Sequence, residues 1–389
     1  MARLVSPHGG ELVSQLVSKQ ERGERLAEAQ SLPKVPMTSR ETSDILMIGM
    51  GAFSPLTGFM GAADYLECIE HMRLRSGTLW PVPITLSATS ELADSIKDDQ
   101  RVALLDEESD EIMATMTVSE RFTYDKQKEA KSVFRTDDEA HPGVAKVLEQ
   151  GDVCLGGEVE VLSEGEYPEK FAEYARPPET RKIFEERGWT TVAAFQTRNP
   201  LHRSHEYLTK VALEVSDGVL IHPIVGKLKE GDIPAETRME CYKVLLDNYY
   251  PEGRVVLKVY PMEMRYAGPR EAILHAIIRQ NFGCSHLCVG RDHAGVGSYY
   301  DPFDAQTIFD EIGPHDLQIR PLKFENTFWC TECQAMGSIK ICKHGKESHV
   351  FISGTKTREM LSRGEQLPVE FSRPEVAQVL MAYYQSLDE

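Results

Sequence analysis

The sequence predicts an α/β protein with a β-rich N-terminal domain, a central domain built on a parallel sheet, and a small C-terminal lobe. Short segments of alternating polarity fill the first 170 or so residues, which is typical of a β-rich domain. Between residues 190 and 290, β-type runs alternate with helical segments, which predicts strands joined by helical crossovers. Beyond residue 326, three cysteines crowd into thirteen residues. We therefore expect domains at 1–172, 173–325 and 326–389.

Three short segments predict the strands of the N-terminal domain. They are WPVPITL (80–86), RVALLD (101–106) and EIMATMTV (111–118). Charged or glycine-rich turns separate them, as expected for short strands. The polar, proline-bearing passage 163–180 then predicts a linker that contains a short helix.

The central domain is predicted from four strands and three helices that alternate along the chain. The strands are 190–195, 218–225, 254–260 and 286–290, and the helices are 200–216, 234–249 and 268–281. This order implies a parallel sheet covered on both faces, in which ligands bind off the carboxyl ends of the strands. A last helix is expected near 373–386, in the C-terminal lobe.

Charge and hydropathy disfavour two broad classes of partner. The chain has 43 Lys and Arg against 61 Asp and Glu, a net charge of -18, which disfavours broad contact with nucleic acid or an anionic membrane. No apolar run reaches the roughly 20 residues that a bilayer span needs. The eight cysteines make a poor disulfide framework and indicate a reducing compartment. We expect a cytoplasmic protein that uses no nucleic acid or membrane and holds any anionic ligand by a local cluster of donors.

The stretch QTRNPLHRSHE (196–206) contains the first candidate site. Asn199 is a good N-cap and Pro200 suits the first helical position, so a helix is expected to begin here. The free N–H groups and the positive dipole end of such a helix bind anions. His202 and His205 would share one face of its first turns and could donate hydrogen bonds to phosphoryl oxygens. The alternative is a helix start with two surface histidines.

Polar side chains just before this helix add to the candidate site. Arg198 supplies a planar cation suited to sulfate or phosphate, and Gln196 and Asn199 supply neutral donors. The sequence therefore predicts an anion site at the end of the first central strand.

GRDHAGVG (290–297) forms a second donor-rich loop. It follows a predicted strand, so it should emerge at the same sheet edge as the first site. Its glycines permit close backbone approach, and Arg291, Asp292 and His293 bring charge to the crevice. By itself the loop could be a flexible turn, but two such loops at corresponding strand ends favour a shared site.

ISGTKTREML (352–361) is a third candidate, a strand end followed by a turn and a helix start. Ser353, Thr355, Lys356 and Arg358 could close over the distal phosphates of a nucleotide. The alternative is a capped surface helix.

The C-terminal cysteines predict a metal site. Cys330, Cys333 and Cys342, with His344 as the fourth ligand, would complete a closed tetrahedral Zn²⁺ site that holds a small lobe together. His349 is the second choice for the fourth ligand. The alternative is free cysteines in a reducing cell. With four protein ligands and no adjacent base, the metal would be structural.

Five motifs together resemble the ATP sulfurylase family over nearly the whole chain. They are PHGG (7–10), GAFSPLTGFM (51–60), QTRNPLHRSHE (196–206), GRDHAGVGSYYDPFDAQ (290–306) and ISGTKTREML (352–361). The resemblance implies a PUA-like N-terminal domain before a Rossmann-like nucleotidyltransferase domain. It also implies the reaction of ATP with sulfate to give adenosine 5′-phosphosulfate (APS) and diphosphate, with Mg²⁺, in an enzyme that is commonly a dimer. It permits the zinc without requiring it.

The same resemblance assigns roles to individual residues. It implies sulfate binding by Gln196, Arg198 and the backbone of Ala294, and a catalytic group of Thr197, Arg198, Asn199, His202 and His205. It implies ATP binding by the residues 196–199, His202, His205 and the loop residues Gly290, Arg291, Asp292 and His293. The two histidines match the HxGH motif of nucleotidyltransferases, with Ser204 in place of its glycine.

Two rival functions remain from the sequence. One is another nucleotidyltransferase of the same superfamily that acts on a phosphate ester, for which the acceptor pocket would have to take an organic group. The other is a zinc-dependent nucleic-acid-binding protein, which the net charge of -18 disfavours.

Overall fold

The computed structural model describes residues 3–227, 232–351 and 354–387. Residues 3–172, all of which are described, contain seven strands and seven helices. The strands are β1 (Lys34–Met37), β2 (Gly58–Phe59), β3 (Leu86–Ala88), β4 (Gln100–Asp106), β5 (Ile112–Val118), β6 (Glu120–Thr123) and β7 (Val153–Val161). The helices are α1 (Arg22–Ala29), α2 (Ser39–Gly49), α3 (Ala62–His71), α4 (Ser90–Ser95), α5 (Lys126–Phe134), α6 (Pro142–Glu149) and α7 (Tyr167–Lys170).

The seven N-terminal strands form one mixed sheet in the order β1-β4-β5-β7-β2, and β3 and β6 also pair with β7. The predicted strands 101–106 and 111–118 are confirmed as β4 and β5. The predicted strand 80–86 is wrong, since only Leu86 joins a strand. Pro81 and Pro83 have no N–H to donate to a neighbouring strand, which accounts for the difference.

The central part contains a parallel sheet flanked by helices, as predicted. Its strands are β8 (Val192–Thr197), β9 (Gly218–Pro223), β10 (Val255–Leu257), β11 (His286–Val289) and β12 (Arg320–Lys323). Its helices are α8 (Pro177–Glu186), α9 (Arg203–Glu214), α10 (Ala235–Tyr249), α11 (Pro269–Asn281) and α12 (Asp304–Thr307). The strand order is β10-β9-β8-β11-β12 with parallel pairing throughout, and β12 is a fifth strand that the sequence did not predict.

β8 and β11 are neighbours within this sheet, with His286 opposite Ala193. Because parallel strands point the same way, the two segments that follow them leave the sheet side by side. The expectation that both donor-rich loops emerge at one edge is therefore confirmed.

The C-terminal part adds a small antiparallel sheet and two helices. The sheet has the order β14-β13-β15, with β13 (Thr327–Cys330), β14 (Ala335–Ser338) and β15 (His349–Val350), and the helices are α13 (Gly354–Ser362) and α14 (Pro374–Gln385). The last helix is confirmed within one residue of its predicted bounds. Val376 and Leu380 of α14 belong to the same buried cluster as Tyr242 of α10, so this helix packs against the central domain.

A buried ion pair joins the N-terminal part to the segment 261–268, which lies beside the edge of the central sheet. Asp44 of α2 forms an ion pair with Arg265, and the two side chains are only 3% and 2% exposed. Arg265 lies in residues 261–268, between β10 and α11. A buried pair of this kind fixes geometry because neither charge can remain there without its partner. Among the described residues, no helix has the length and apolar character that crossing a bilayer requires.

Candidate active site

A cavity of about 390 Å³ opens where β8 and β11 end. Its walls come from three places in the chain, and this is the crevice that the sequence predicted. One wall is the turn 196–199 with the first turn of α9, and the second is the loop 290–295. The third is the C-terminal sheet, through Phe328 and Trp329, with Phe351 just after its last strand. The cavity therefore brings together every sequence-predicted residue of the first two motifs.

The turn after β8 is fixed by its own hydrogen bonds. The hydroxyl of Thr197 accepts from the backbone N–H of Asn199 over 3.0 Å, and the hydroxyl of Tyr242 donates to the Asn199 carbonyl over 2.7 Å. The prediction that Asn199 caps a helix starting at Pro200 is wrong. The helix α9 begins at Arg203, and His202 is its N-cap. Asn199 instead lies exposed in the turn before it.

His202 and His205 lie together, as predicted, with their rings stacked at a centroid distance of 3.8 Å. The Nδ1 atom of His202 accepts a hydrogen bond from the backbone N–H of Ser204 over 3.2 Å, so the ring proton of neutral His202 must be on Nε2. Burial lowers the pKa of His202 well below its ordinary value of 6.5 and lowers the pKa of His205 to about 4. Both rings are therefore neutral hydrogen-bond donors at pH 7.

Replacing His205 by asparagine is expected to weaken the acid sensitivity of the fold. The pKa of His205 is about 4 in the folded protein and near 6.5 in an unfolded chain. Between these pH values only the unfolded state binds the proton, so the free energy of unfolding falls as pH drops from about 6.5 to 4. Urea unfolding at several pH values gives the slope of the free energy of unfolding against pH. In His205→Asn this slope should correspond to up to about one fewer proton taken up on unfolding than in the parent protein. His71→Asn, at a side chain that is 62% exposed, should leave it unchanged. Equal slopes in His205→Asn and the parent protein would contradict the assignment.

Arg198 is the cation of the crevice that lacks a counter-charge. Its guanidinium lies 4.9 Å from the ring centroid of Tyr266, which supports it from one side. Its Nη1 atom is buried and has no hydrogen-bond partner. Across the described residues, no carboxylate lies within ion-pair distance of Arg198. A buried cationic donor without a partner is costly, and an anionic ligand would satisfy it.

The loop 290–297 turns tightly, and two of its left-handed positions are not glycines. Asp292 and Ala294 have positive φ angles of 55° and 57°, and the backbone N–H of Gly268 donates to the Ala294 carbonyl over 3.0 Å. Arg291 is paired with Asp292 at 3.4 Å, so its charge is partly offset. Burial lowers the pKa of His293 to about 3, which keeps its ring neutral as well.

The buried helix α11 carries a set of polar residues that the sequence analysis missed. Glu271, His275 and Arg279 recur every four residues, so they lie on one face of a helix whose central residues 272–278 are otherwise apolar. All three are fully buried behind β8. His275 contacts both Gln196 and His293, which come from the two predicted loops. The spacing E-x₃-H-x₃-R within an apolar helix was the signal that could have identified them.

The cysteine cluster is compatible with a tetrahedral metal site. The ligand atoms of Cys330, Cys333, Cys342 and His344 all lie within 4.8 Å of one another. The Sγ atoms of Cys333 and Cys342 are 3.8 Å apart, which matches the edge of a tetrahedron with Zn–S bonds of about 2.3 Å. His349 is not part of this cluster, since its ring stacks on Phe328 at 3.5 Å. Between the two predicted fourth ligands, the geometry thus selects His344, through its Nδ1 atom.

The third motif is only partly described. Ser353 lies outside the described residues, and so do the side chains of Thr355 and Arg358. Lys356 is exposed on α13. The phosphate role of this stretch stays a prediction.

Known proteins resemble this chain over its whole length. The sequence profile of the ATP sulfurylase family matches residues 172–383, and that of a PUA-like domain matches residues 5–164. A protein of Desulforamulus reducens named sulfate adenylyltransferase is 56% identical over 387 residues, covering 99% of this chain and 100% of its own. One of the same name from Pelodictyon phaeoclathratiforme is 55% identical, covering 99% and 96%. A solved structure titled hexameric APS kinase from Thiobacillus denitrificans matches with a TM-score of 0.76 at 26% identity, covering 97% of this chain and 68% of its own.

A parallel α/β sheet, a donor-rich crevice at its carboxyl edge and a stacked histidine pair at a helix N-terminus together define a nucleotidyltransferase. The family profile covers more than half of the chain, and the relatives exceed half identity over almost all of it. The chain belongs to the ATP sulfurylase family. Its N-terminal domain is PUA-like, as the sequence predicted.

Proposed function

We propose that the crevice transfers the adenylyl group of ATP to sulfate, giving APS and diphosphate, by direct in-line attack. A sulfate oxygen forms a new bond to the α-phosphorus while the bond from that phosphorus to the bridging oxygen of diphosphate breaks. Sulfate is already fully ionised, so no side chain has to act as a general base. The barrier lies in aligning two anions, which requires positioned donors.

The unpartnered Nη1 atom of Arg198 is the observation that carries this proposal. We assign Arg198, Gln196 and the backbone of Ala294 to sulfate. Arg198 carries the charge, and Tyr266 fixes the plane of its guanidinium. The cation would offset repulsion between sulfate and the α-phosphate as they approach, and it needs no rearrangement at that moment.

His202 and His205 are assigned to the phosphates of ATP. As neutral rings they donate hydrogen bonds to phosphoryl oxygens, and the Nε2–H of His202 is available because its Nδ1 caps α9. These donors would stabilise charge that accumulates on diphosphate as it leaves. Thr197 and Asn199 hold the turn between the two binding regions, and the loop residues Gly290, Arg291, Asp292 and His293 are assigned to the nucleotide.

Two metal ions accompany this assignment. Glu325 and Glu370, which line the cavity, would offer the oxygen ligands that Mg²⁺ prefers, and the bound ion would supply positive charge to offset that of the triphosphate. Zn²⁺ would be held by Cys330, Cys333, Cys342 and His344 as a structural ion, since four protein ligands leave no position for substrate. Its contribution is to keep the C-terminal sheet folded against the crevice.

Sulfate-dependent release of diphosphate from ATP tests the proposed function. We expect the purified protein with Mg²⁺ to release diphosphate when sulfate is added, and to form ATP from APS and diphosphate in reverse. Organic phosphate esters in place of sulfate should give no comparable release. Release with an ester and not with sulfate would favour the rival nucleotidyltransferase. Binding of RNA or DNA at physiological salt, with no diphosphate release, would favour the nucleic-acid-binding alternative.

We further propose a cytoplasmic homodimer with domains at 1–172, 173–325 and 326–389. The dimer follows from the family resemblance. The location is supported by eight cysteines that are all unbridged in the structure. Sedimentation analysis of the purified protein would test the dimer, and a mass of six chains would overturn it.

A further inference from the structure

We infer that Tyr260 and His275 are positioning residues that hold the carbonyl oxygen of Gln196 away from the bound acceptor anion and leave one amide N–H to face it, and thereby select sulfate over protonated oxyanions. The inference rests on the proposed function, since it concerns the acceptor side of the same crevice. Neither residue belongs to the motifs of the two loops.

The Tyr260 hydroxyl fixes one end of the Gln196 amide. The Nη2 atom of Arg279 donates to the Tyr260 oxygen over 2.6 Å, and the guanidinium also stacks on the Tyr260 ring at 4.4 Å. With that oxygen already accepting, the hydroxyl proton is left to donate. Within the described residues its acceptor is the Oε1 atom of Gln196, at 2.9 Å. The carbonyl end of the amide therefore points into the protein.

His275 fixes the other end of the same amide. The Nε2 atom of Gln196 lies 3.2 Å from the Nε2 atom of His275, and an amide nitrogen can only donate. Its second N–H faces the Sδ atom of Met264 in the cavity wall at 3.6 Å, a weak acceptor that an anion would replace. The His275 ring then carries its proton on Nδ1, which lies 3.1 Å from the Nε2 atom of His293. The donors run in one direction from Arg279 to His293. This series of hydrogen bonds thus orients one side chain from each of the two motifs, Gln196 and His293.

The buried charge of Arg279 strengthens the hydrogen bond from Tyr260 to Gln196. Arg279 is fully buried, and within the described part of the chain it has no ion-pair partner. Its Nε and Nη1 atoms also lack hydrogen-bond partners. The cation polarises the Tyr260 hydroxyl, which makes that group a better donor to Gln196. Glu271, on the same helix face, accepts from the backbone N–H groups of Arg265 and Ala267, and its Oε1 atom lies 3.5 Å from the Nε2 atom of His275, farther than the Gln196 amide nitrogen at 3.2 Å.

The consequence is selectivity between oxyanions. Sulfate at neutral pH has only acceptor oxygens, so it can accept hydrogen bonds from both the amide N–H and the guanidinium and needs no acceptor in the site. Monohydrogen phosphate carries one proton that needs an acceptor. An amide whose carbonyl is held away by Tyr260 offers none, and a donor left without an acceptor in a buried site is costly.

The test combines Tyr260→Phe, Gln196→Ala and the double variant. We expect Tyr260→Phe to raise the sulfate KM up to about tenfold, the effect of one hydrogen bond. Phosphate should also compete more strongly relative to sulfate, because the freed amide can present its carbonyl. The ATP dissociation constant should stay the same. In the Gln196→Ala background, Tyr260→Phe should change neither quantity further.

Tyr65→Phe is the matched control, because Tyr65 is 2% exposed and also donates a buried hydrogen bond, to Glu129 over 3.0 Å, in the N-terminal domain. It should reproduce any loss of thermal stability without changing anion selectivity. If Tyr260→Phe does not fold, His275→Leu removes the acceptor at the other end of the amide. It should raise the sulfate KM, and it should have no further effect in the Gln196→Ala background.

Two results would overturn the inference, and a third concerns the function itself. An unchanged sulfate KM and unchanged phosphate competition in Tyr260→Phe would overturn it. So would an effect of Tyr260→Phe that persists undiminished in the Gln196→Ala background. If the unmodified protein releases no diphosphate with sulfate, the proposed function fails, whatever the variants do.

Discussion

Replacing Arg198 by alanine is expected to lower the turnover of ATP and sulfate at least about a hundredfold while the protein stays folded. A donor aimed at charge in the transition state contributes roughly 2.7–4 kcal/mol, and Arg198 adds a full positive charge to that role. The folded state should lose little, because the guanidinium has an unpartnered buried atom and stacks on a single ring. Initial rates at saturating ATP and sulfate, together with a thermal melt, measure both quantities.

Two further variants sharpen the Arg198 prediction. Arg187 also stacks on an aromatic ring, that of Trp189 at 5.0 Å, but it lies outside the crevice. Arg187→Ala should therefore keep near-normal turnover. Arg198→Lys keeps the charge but loses the planar fork, so its turnover should fall between that of the parent protein and Arg198→Ala. Near-normal APS formation by Arg198→Ala would refute the assignment.

Loss of the proposed zinc is expected to have the second large effect, on both stability and nucleotide binding. Structural zinc in small domains contributes an apparent binding free energy of about 10–16 kcal/mol, which is also folding free energy. Cys330 ends β13, and the preceding residues Phe328 and Trp329 line the cavity. Unfolding of this sheet would therefore open one wall of the crevice.

Cys333→Ser is the variant that tests the zinc prediction, since Cys333 is the exposed cysteine of the cluster and its loss should disturb packing least. We expect zinc content to fall from one per chain toward zero, the melting temperature to drop, and ATP to bind at least about tenfold more weakly, the effect of about 1.4 kcal/mol. Cys241→Ala removes a thiol outside the cluster and should retain the zinc. Zinc well below one per chain in the parent protein would defeat the proposal.

The central sheet could be predicted because its signals are local. Each of the strands β8 to β11 is a short, mostly apolar run between helical segments, as expected for strands covered on both faces. The strand β12 (RPLK) has only exposed and half-buried residues, so no such run marked it. The start of α9 could not be predicted in this way. Asn199 and Pro200 have the right residue types for a helix start, but the Thr197 hydroxyl and Tyr242 hold Asn199 in a turn. His202 takes the capping position instead, and the contact from Tyr242 is not visible in a local pattern.

In the crevice, too, the residues marked by a local pattern could be predicted, and those placed by distant contacts could not. The loop residues that face the cavity follow strand ends, and their spacing was enough to place them at one sheet edge. The polar face of α11 was missed because its helix is buried all round, so periodicity gives no direction for Glu271, His275 and Arg279. The sequence already favoured His344 over His349 as the fourth ligand, and the structure agrees, since His344 lies in the cluster and the ring of His349 stacks on Phe328.

The most direct test of the account is an experimental structure with APS bound. We expect the sulfuryl group within hydrogen-bond distance of Arg198 and Gln196, with one Gln196 N–H facing it, and the phosphate of APS on the side of His202 and His205. APS lodged elsewhere, or its sulfuryl group turned away from Arg198, would contradict the central claim.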